Sequence, residues 1–352
     1  RRQKSKTRNL RMIKILVLDV PMLTNTGYWR LFRPLSLMCD LYPGVFDIQF
    51  KFKDLTFADI QFADVIITRR PWGQNAGVLV ELLQTARRPS INKPVIFDED
   101  DVVMLCPETH ELYADFAKAE TRDHYLSAIN CASMFWFSTP AFMNTMGRFM
   151  TRPDVPAMII PNAVLPSDLP GEPSPDRGLF GWQGKSIQAH DLNDGWDWYE
   201  KNKNHPLVKQ WVFFGWKPPL RHGPNAGGPP IPYMNDVYAF VDSFKKNAAT
   251  GMLGINALWK PLMDHTFNYH KSNINWLVAT IGGGYCITNF AGKPGWEFAS
   301  SEVLPYPEAC ELFDASKREI IENYNLEKMA RMRAESIFAM LPHFFPKNYD
   351  AK

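Results

Sequence analysis

Short apolar runs, set a helix's length apart, organise the first half of the chain. They are Ile13–Val20, Phe46–Phe52, Val65–Thr68, Pro94–Phe97, Met134–Ser138 and Met158–Ile160. Between them lie helix-like stretches at about Tyr28–Leu41, Gly77–Ala86, His110–Ala132 and Pro140–Phe149. Short apolar strands spaced by helices imply a parallel sheet covered on both faces. The pattern predicts an α/β chain whose first half is a doubly wound, Rossmann-like domain.

Pro161–Pro175 breaks the pattern and reads as an interdomain linker. The alternation then restarts at Gly178–Trp182 and continues through Trp211–Gly215, Gly254–Leu258 and Tyr285–Thr288. Pro218–Pro232, dense in Pro and Gly, reads as an irregular loop. A last helix is expected over roughly Ala315–Met340, crossing back onto the first domain. At 352 residues the chain is too long for one ordinary core. The expected division is a basic tail (1–11), a first domain (12–165), a second domain (166–325) and a terminal helix segment (326–352).

Charge narrows the partners. Lys and Arg total 39 against 37 Asp and Glu, so a general nucleic-acid coat is excluded. The basic Arg1–Arg8 segment is the local exception; it reads as a disordered tail, with a phosphate-binding arm as the lesser reading. The five cysteines show no close pairing and no zinc spacing, which suggests reduced thiols and a cytoplasmic protein. Met12–Val20 carries Lys14 and Asp19 and lacks a cleavage pattern, so it reads as a strand rather than a signal peptide.

Ligands of open α/β sheets bind beyond the C-terminal strand ends, which says where to look for chemistry. After the first strand come Thr24–Gly27, Tyr28 and Arg30; after Val65–Thr68 come Arg69, Arg70 and Trp72. Arginine forks and an indole suit a sugar or a phosphate. After Pro94–Phe97 stands Asp98-Glu-Asp-Asp101, whose crowded carboxylates repel unless they bind cations, donors or protons. Asp98 or Asp100 could serve as a general base for an acceptor hydroxyl, or the cluster could simply open the next helical segment. In the second half, Phe180-Gly181-Trp-Gln-Gly184 is followed by Lys185, Ser186 and His190. Glycines after a strand let backbone N–H groups approach a diphosphate. Further on, Asp264, Phe267, Asn268, His270, Lys271, Ser272 and Asn273 lead into a helix that stops at Gly282–Gly284. A helix N-terminus beside a lysine and a hydroxyl suits a phosphate, although Ser and Asn also cap helices that bind nothing.

These last motifs resemble the donor site of two-domain nucleotide-sugar glycosyltransferases of the GT-B type, in a divergent, phage-like branch of the group 1 superfamily. An Asp, Phe-Asn and Lys-Ser open this helix in one branch of it, matched by Asp264, Phe267, Asn268, Lys271 and Ser272. A Gly-Trp-x-Gly loop ahead of a His-Asp-Leu segment is likewise matched by Gly181–Gly184 and His190–Leu192. The resemblance spans about Ile13 to Met340. It implies two Rossmann-like domains facing across a cleft, a nucleotide diphosphate sugar as donor, and no obligatory metal. Gly181, Gly184, Lys185, His190, Asn268, His270, Lys271, Ser272 and Asn273 would hold the donor. Tyr28, Arg30, Arg69 and Trp72 would border the acceptor, a glycan or a hydroxymethylated DNA base. One departure stands out: many retaining members carry a glutamate on the nucleotide ribose, and that position here is Val278. Val278 makes a non-catalytic binding or structural protein on the same fold an alternative, and another enzyme class on that fold, an epimerase or phosphorylase, is a separate one.

Overall fold

The computed structural model describes residues 11–18, 25–51, 53–71, 73–108, 110, 112–184, 189–215, 255–269, 273–294 and 296–345. Residues 1–10 of the basic tail, Trp72, Lys185, Ser186, Pro218–Pro232, His270, Lys271 and Ser272 lie outside them, as do the side chains of Phe267 and His190.

The first sheet contains β1 (Ile13–Leu18), β2 (Phe46–Lys51), β3 (Val65–Thr68), β4 (Val95–Glu99), β5 (Met134–Phe137) and β6 (Ala157–Ile159). Their order is β2-β1-β3-β4-β5-β6, and every pairing is parallel. The chain winds outward from β1 in both directions, so the topological switch lies between β1 and β3. β3 is buried at every residue, which is why it reads as an unbroken apolar run rather than an alternating one. A π-helical turn, Tyr28–Phe32, runs directly into α1 (Arg33–Leu41) after β1. α2 (Phe57–Phe62), not expected from the sequence, opens with a capping box in which Asp59 accepts from the Thr56 backbone at 2.7 Å. α3 (Ala76–Ala86), α4 (Ala119–Cys131) and α5 (Pro140–Met146) complete the domain's main helices. α5 starts at Thr139, whose hydroxyl accepts from Phe142 N–H at 3.1 Å.

The second sheet contains β7 (Leu179–Gly184), β8 (Gln210–Gly215), β9 (Ala257–Trp259), β10 (Tyr285–Ile287) and the unexpected two-residue β11 (Ala299–Ser300). The order is β11-β10-β9-β7-β8, again all parallel, with the switch between β7 and β9. Its helices include α6 (Ala189–Asp194), α7 (Trp196–Asn202) and α8 (Ile274–Ile281). Gly283 and Gly284 are needed here for different reasons. Gly283 has φ +83°, open to glycine but strained for other residues; a Cβ at Gly284 would stand 2.7 Å from the Ile255 and Asn256 carbonyl oxygens.

The expected single terminal helix is two. α9 (Tyr306–Asn323) ends at Tyr324, and α10 (Leu326–Phe344) restarts behind Asn325, whose side chain accepts from Glu327 N–H at 2.9 Å. The break is fixed by the linker: Val164 N–H donates to Tyr324 at 3.1 Å, and Leu326 N–H donates to Val164 at 2.9 Å. The two places where the chain passes between domains therefore lie side by side. α10 packs on α1 and the first sheet, with Phe338 stacked on Phe46 at 5.4 Å and Trp136 Nε1 donating to Ser336 at 3.2 Å. Tyr28 and Trp29 of the first domain join the apolar cluster around Leu258, Trp276 and Val278 of the second.

Candidate functional site

At the switch point of the first sheet, the residues expected to meet an acceptor meet each other. Arg30, on the π-helical turn, grips Asp98 at the end of β4 with Nε at 2.9 Å and Nη2 at 2.7 Å, while Nη1 donates to the Ile160 carbonyl. Both side chains are fully buried. A bidentate arginine fork satisfies both carboxylate oxygens, so neither residue is open to a ligand in this arrangement. Tyr28, 4% exposed, is packed at the domain junction.

Beside this pair, the carboxylates after β4 interleave with the two arginines after β3. Arg69 Nη2 donates to Asp100 at 2.8 Å; Arg70 Nη2 lies 3.2 Å from Glu99 and 3.1 Å from Asp101. Glu99 Oε1 also accepts from the backbone of Asp100 at 2.9 Å, while among the described residues nothing reaches its Oε2. Burial pushes the Glu99 carboxyl up to about 7, against the pull of Arg70 and Arg69. Asp100 is raised as well, by burial and then by the Asp101 charge. Burial alone would lower Arg70, but Glu99, Asp101 and Asp100 outweigh it and hold it above the ordinary arginine value. The cluster is a compact ion network in which Asp100 has little access to water.

The second sheet's switch point is built differently. Gly181 lies within β7, and Gly184 ends it opposite Gly215 of β8. Asp191, 1% exposed at the start of α6, accepts from Asn268 Nδ2 at 2.7 Å and from Met263 N–H at 3.0 Å. Asn268 also donates to the Met263 carbonyl at 2.9 Å, and Asn289 clasps the Leu262 backbone from β10's side, at 2.6 and 2.9 Å. The loop after β9 is thus tied to α6 and to the segment after β10. Two polar atoms in it are unmatched: Asn268 Oδ1 and Asn273 Nδ2 have no partner among the described residues, though both side chains are buried. Asn273 precedes α8, whose first-turn N–H groups lack helical acceptors. Val278, 3% exposed, packs with Trp276 and Leu277.

A cavity of about 510 Å³ lies where the loop after β4 faces the loop after β9, lined by Cys106, Pro107, Glu108 and Tyr113 on one side and Met263 and His265 on the other. Tyr113 donates to Glu108 at 3.4 Å. Nearby, exposed Tyr269 stacks on Phe290 and donates to Asp264. Glu108, His265 and Tyr269 were not among the sequence candidates. They carry no motif, and only their position after β4 and β9 marks them. Among the described residues no cluster of His, Cys, Asp and Glu is arranged to hold a metal, and no helix is long and apolar enough to cross a membrane.

Two parallel sheets, each in a Rossmann-like domain, with the chain returning to the first through α10, define the GT-B class of architecture. No protein-family model matches the sequence, and no curated protein matches it either. Among solved structures, a protein described as a UDP-N-acetylglucosamine 2-epimerase from Listeria monocytogenes aligns over 96% of this chain and 98% of its own, with TM-score 0.50 and 11% identity. The pneumococcal O-GlcNAc transferase GtfA, solved with UDP and GlcNAc, aligns over 79% of this chain and 57% of its own, with TM-score 0.45 and 11% identity. A GtfA/B complex aligns over 83% and 62%, with TM-score 0.42 and 12% identity. At these identities the likeness is one of fold.

Proposed function

We propose that the protein is a glycosyltransferase that moves a sugar from a nucleotide diphosphate sugar to an acceptor hydroxyl. The observation that carries this reading is the second sheet's switch-point crevice. There, among the described residues, a buried Asp191–Asn268 clasp leaves Asn268 Oδ1 without a partner, and Asn273 Nδ2, ahead of α8, has none either. Unmatched buried polar atoms cost stability, and a polar ligand would remove that cost. Lys271 and Ser272, with Lys185 and His190, would supply charge and hydrogen bonds to the leaving diphosphate, on which negative charge grows in the transition state. Gly181 and Gly184 would let backbone approach it. The acceptor, a glycan or a modified nucleic-acid base, would enter the cavity between Glu108, Tyr113 and His265. Trp72 would border it; Arg30, Arg69, Asp98 and Asp100 would act by holding the floor of the first domain rather than by touching the acceptor.

A second reading has its own support. The fold likeness that spans nearly the whole chain is to a protein described as an epimerase, and Val278 stands where the resemblance places an acid in many retaining transferases. One experiment separates them: a thermal-shift screen with UDP, GDP, ADP and dTDP and their sugars, with and without magnesium, followed by incubation with the sugar that binds. Ligand binding to the native state raises its melting temperature. Release of nucleoside diphosphate only when an acceptor is present supports transfer. A changed sugar without acceptor supports epimerisation, and no shift with any nucleotide overturns both.

A further inference from the structure

The large apolar side chains exposed among the described residues are Met12, Phe57, Val78, Tyr269, Ile321 and Phe338. Of these, only Tyr269 follows the carboxyl end of a second-sheet strand, at the end of the one-turn helix Thr266–Tyr269 beyond β9, on the side where ligands of this fold class bind. It is 44% exposed, yet its ring is fixed. Phe290, rooted in the domain core, stacks on it at 5.2 Å with the planes 17° apart. The Tyr269 hydroxyl donates to Asp264, and the Lys293 ammonium lies 4.6 Å from the Tyr269 ring centre and 4.0 Å from that of Phe290. Holding an aromatic ring open to water by three contacts has no packing benefit for the face left bare. It does preorganise that face for a planar partner, since little rotamer freedom is left to lose on binding.

We propose that Tyr269 is the stacking platform for the base of a nucleoside diphosphate, with Lys293 as the cation at its side. The proposal rests on the donor reading above and adds to it which part of the donor this ring holds. The hydroxyl of Tyr269 is already committed to Asp264, so the ring offers only a π-face. A heteroaromatic base gains from such a face, whereas a sugar needs hydroxyl partners around it. Tyr269 precedes Asn273 and α8 in the chain, so the diphosphate of a nucleotide on this ring would have the N-terminus of α8 to reach, where the Asn273 amide has no partner among the described residues.

Isothermal titration of the full chain tests this, using UDP, GDP, ADP, dTDP and inorganic pyrophosphate as probes against wild type, Tyr269→Ala and Tyr269→Phe. The tightest nucleoside diphosphate should bind Tyr269→Ala about tenfold to a hundredfold more weakly, and Tyr269→Phe like wild type. Pyrophosphate, which has no base, should bind all three alike. Base protons of the nucleotide should move upfield in the NMR spectrum of the wild-type complex and not in that of the alanine variant. Equal nucleotide affinity in wild type and Tyr269→Ala overturns the platform while leaving the donor reading standing. A parallel loss of pyrophosphate binding overturns it too, by showing that the ring only supports the loop. Failure of wild type to bind any of the four nucleotides removes the donor reading, and the platform with it.

Discussion

Asp98 offers the sharpest test of how the first domain is built. Asp98→Asn keeps the side chain's size and removes its charge. In the native protein that charge faces Arg30 at 2.7 and 2.9 Å, and Arg69 at 4.0 Å. Arg333 feels it too: burial and the Arg30 charge pull its guanidinium down to about 9, and Asp98 opposes that pull. The substitution therefore leaves a fully buried Arg30 charge without its counter-ion. Breaking a buried pair from one side costs about 3–5 kcal/mol. For a domain of this size each kcal/mol is worth about 2–4 °C, so the first domain should melt roughly 6–20 °C lower. Circular-dichroism melts at pH 7, at low and high salt, would measure it, and the loss should persist in salt because the pair is shielded from solvent ions. Replacing both partners, as Arg30→Met with Asp98→Leu, should recover much of the loss. A single variant that melts within about 2 °C of wild type would refute the reasoning. If it also lost turnover, Asp98 would be a catalytic group after all.

Further perturbations probe other parts of the molecule. Glu99 is raised from 4.5 to about 7 in the folded state, so its protonation stabilises the fold fully below pH 4.5, and that contribution disappears as pH rises through about 7. Glu99→Gln should therefore gain on wild type between pH 5 and pH 8, by no more than about 3 kcal/mol in urea titrations; a constant difference would sink the assignment. Gly284→Ala, whose new Cβ would meet two backbone oxygens at 2.7 Å, should destabilise the second domain by about 1–3 kcal/mol, read as a lower urea midpoint with an unchanged slope. Lys271→Ala should weaken nucleoside diphosphate binding at least tenfold in titration calorimetry, as expected for loss of a charge-assisted contact; unchanged affinity would displace the donor from this helix.

The sequence made the sheets legible for a simple physical reason. A parallel strand covered on both faces must be apolar at nearly every position, and Val65–Thr68 and Met134–Phe137 carry that signature without reference to anything else. The break between α9 and α10 left only a short trace in the sequence, the poor helix formers Asn323, Tyr324 and Asn325, because the interruption is held by Val164 from far away in the chain. Asp98 shows the same limit at the site. A carboxylate at a strand end looks like a base until its partner is known, and Arg30, 68 residues earlier, is found only in the folded state. Asn268 carries a motif signal, but its clasp on Asp191, and an oxygen left without a partner among the described residues, are visible only in the packing. Tyr269, Glu108 and His265 have no local signal; they matter through where β4, β9 and β10 end.

The pairing of Val164 with Asn325 also has a mechanical meaning. A lobe on one tether can spin about that tether as well as swing. Two tethers fastened to each other act as a door hinge does: they suppress twist and leave one bending axis, along the jamb they share. Any rotation of one domain against the other then carries the loops after β9 and β10 along a single arc past the loop after β4.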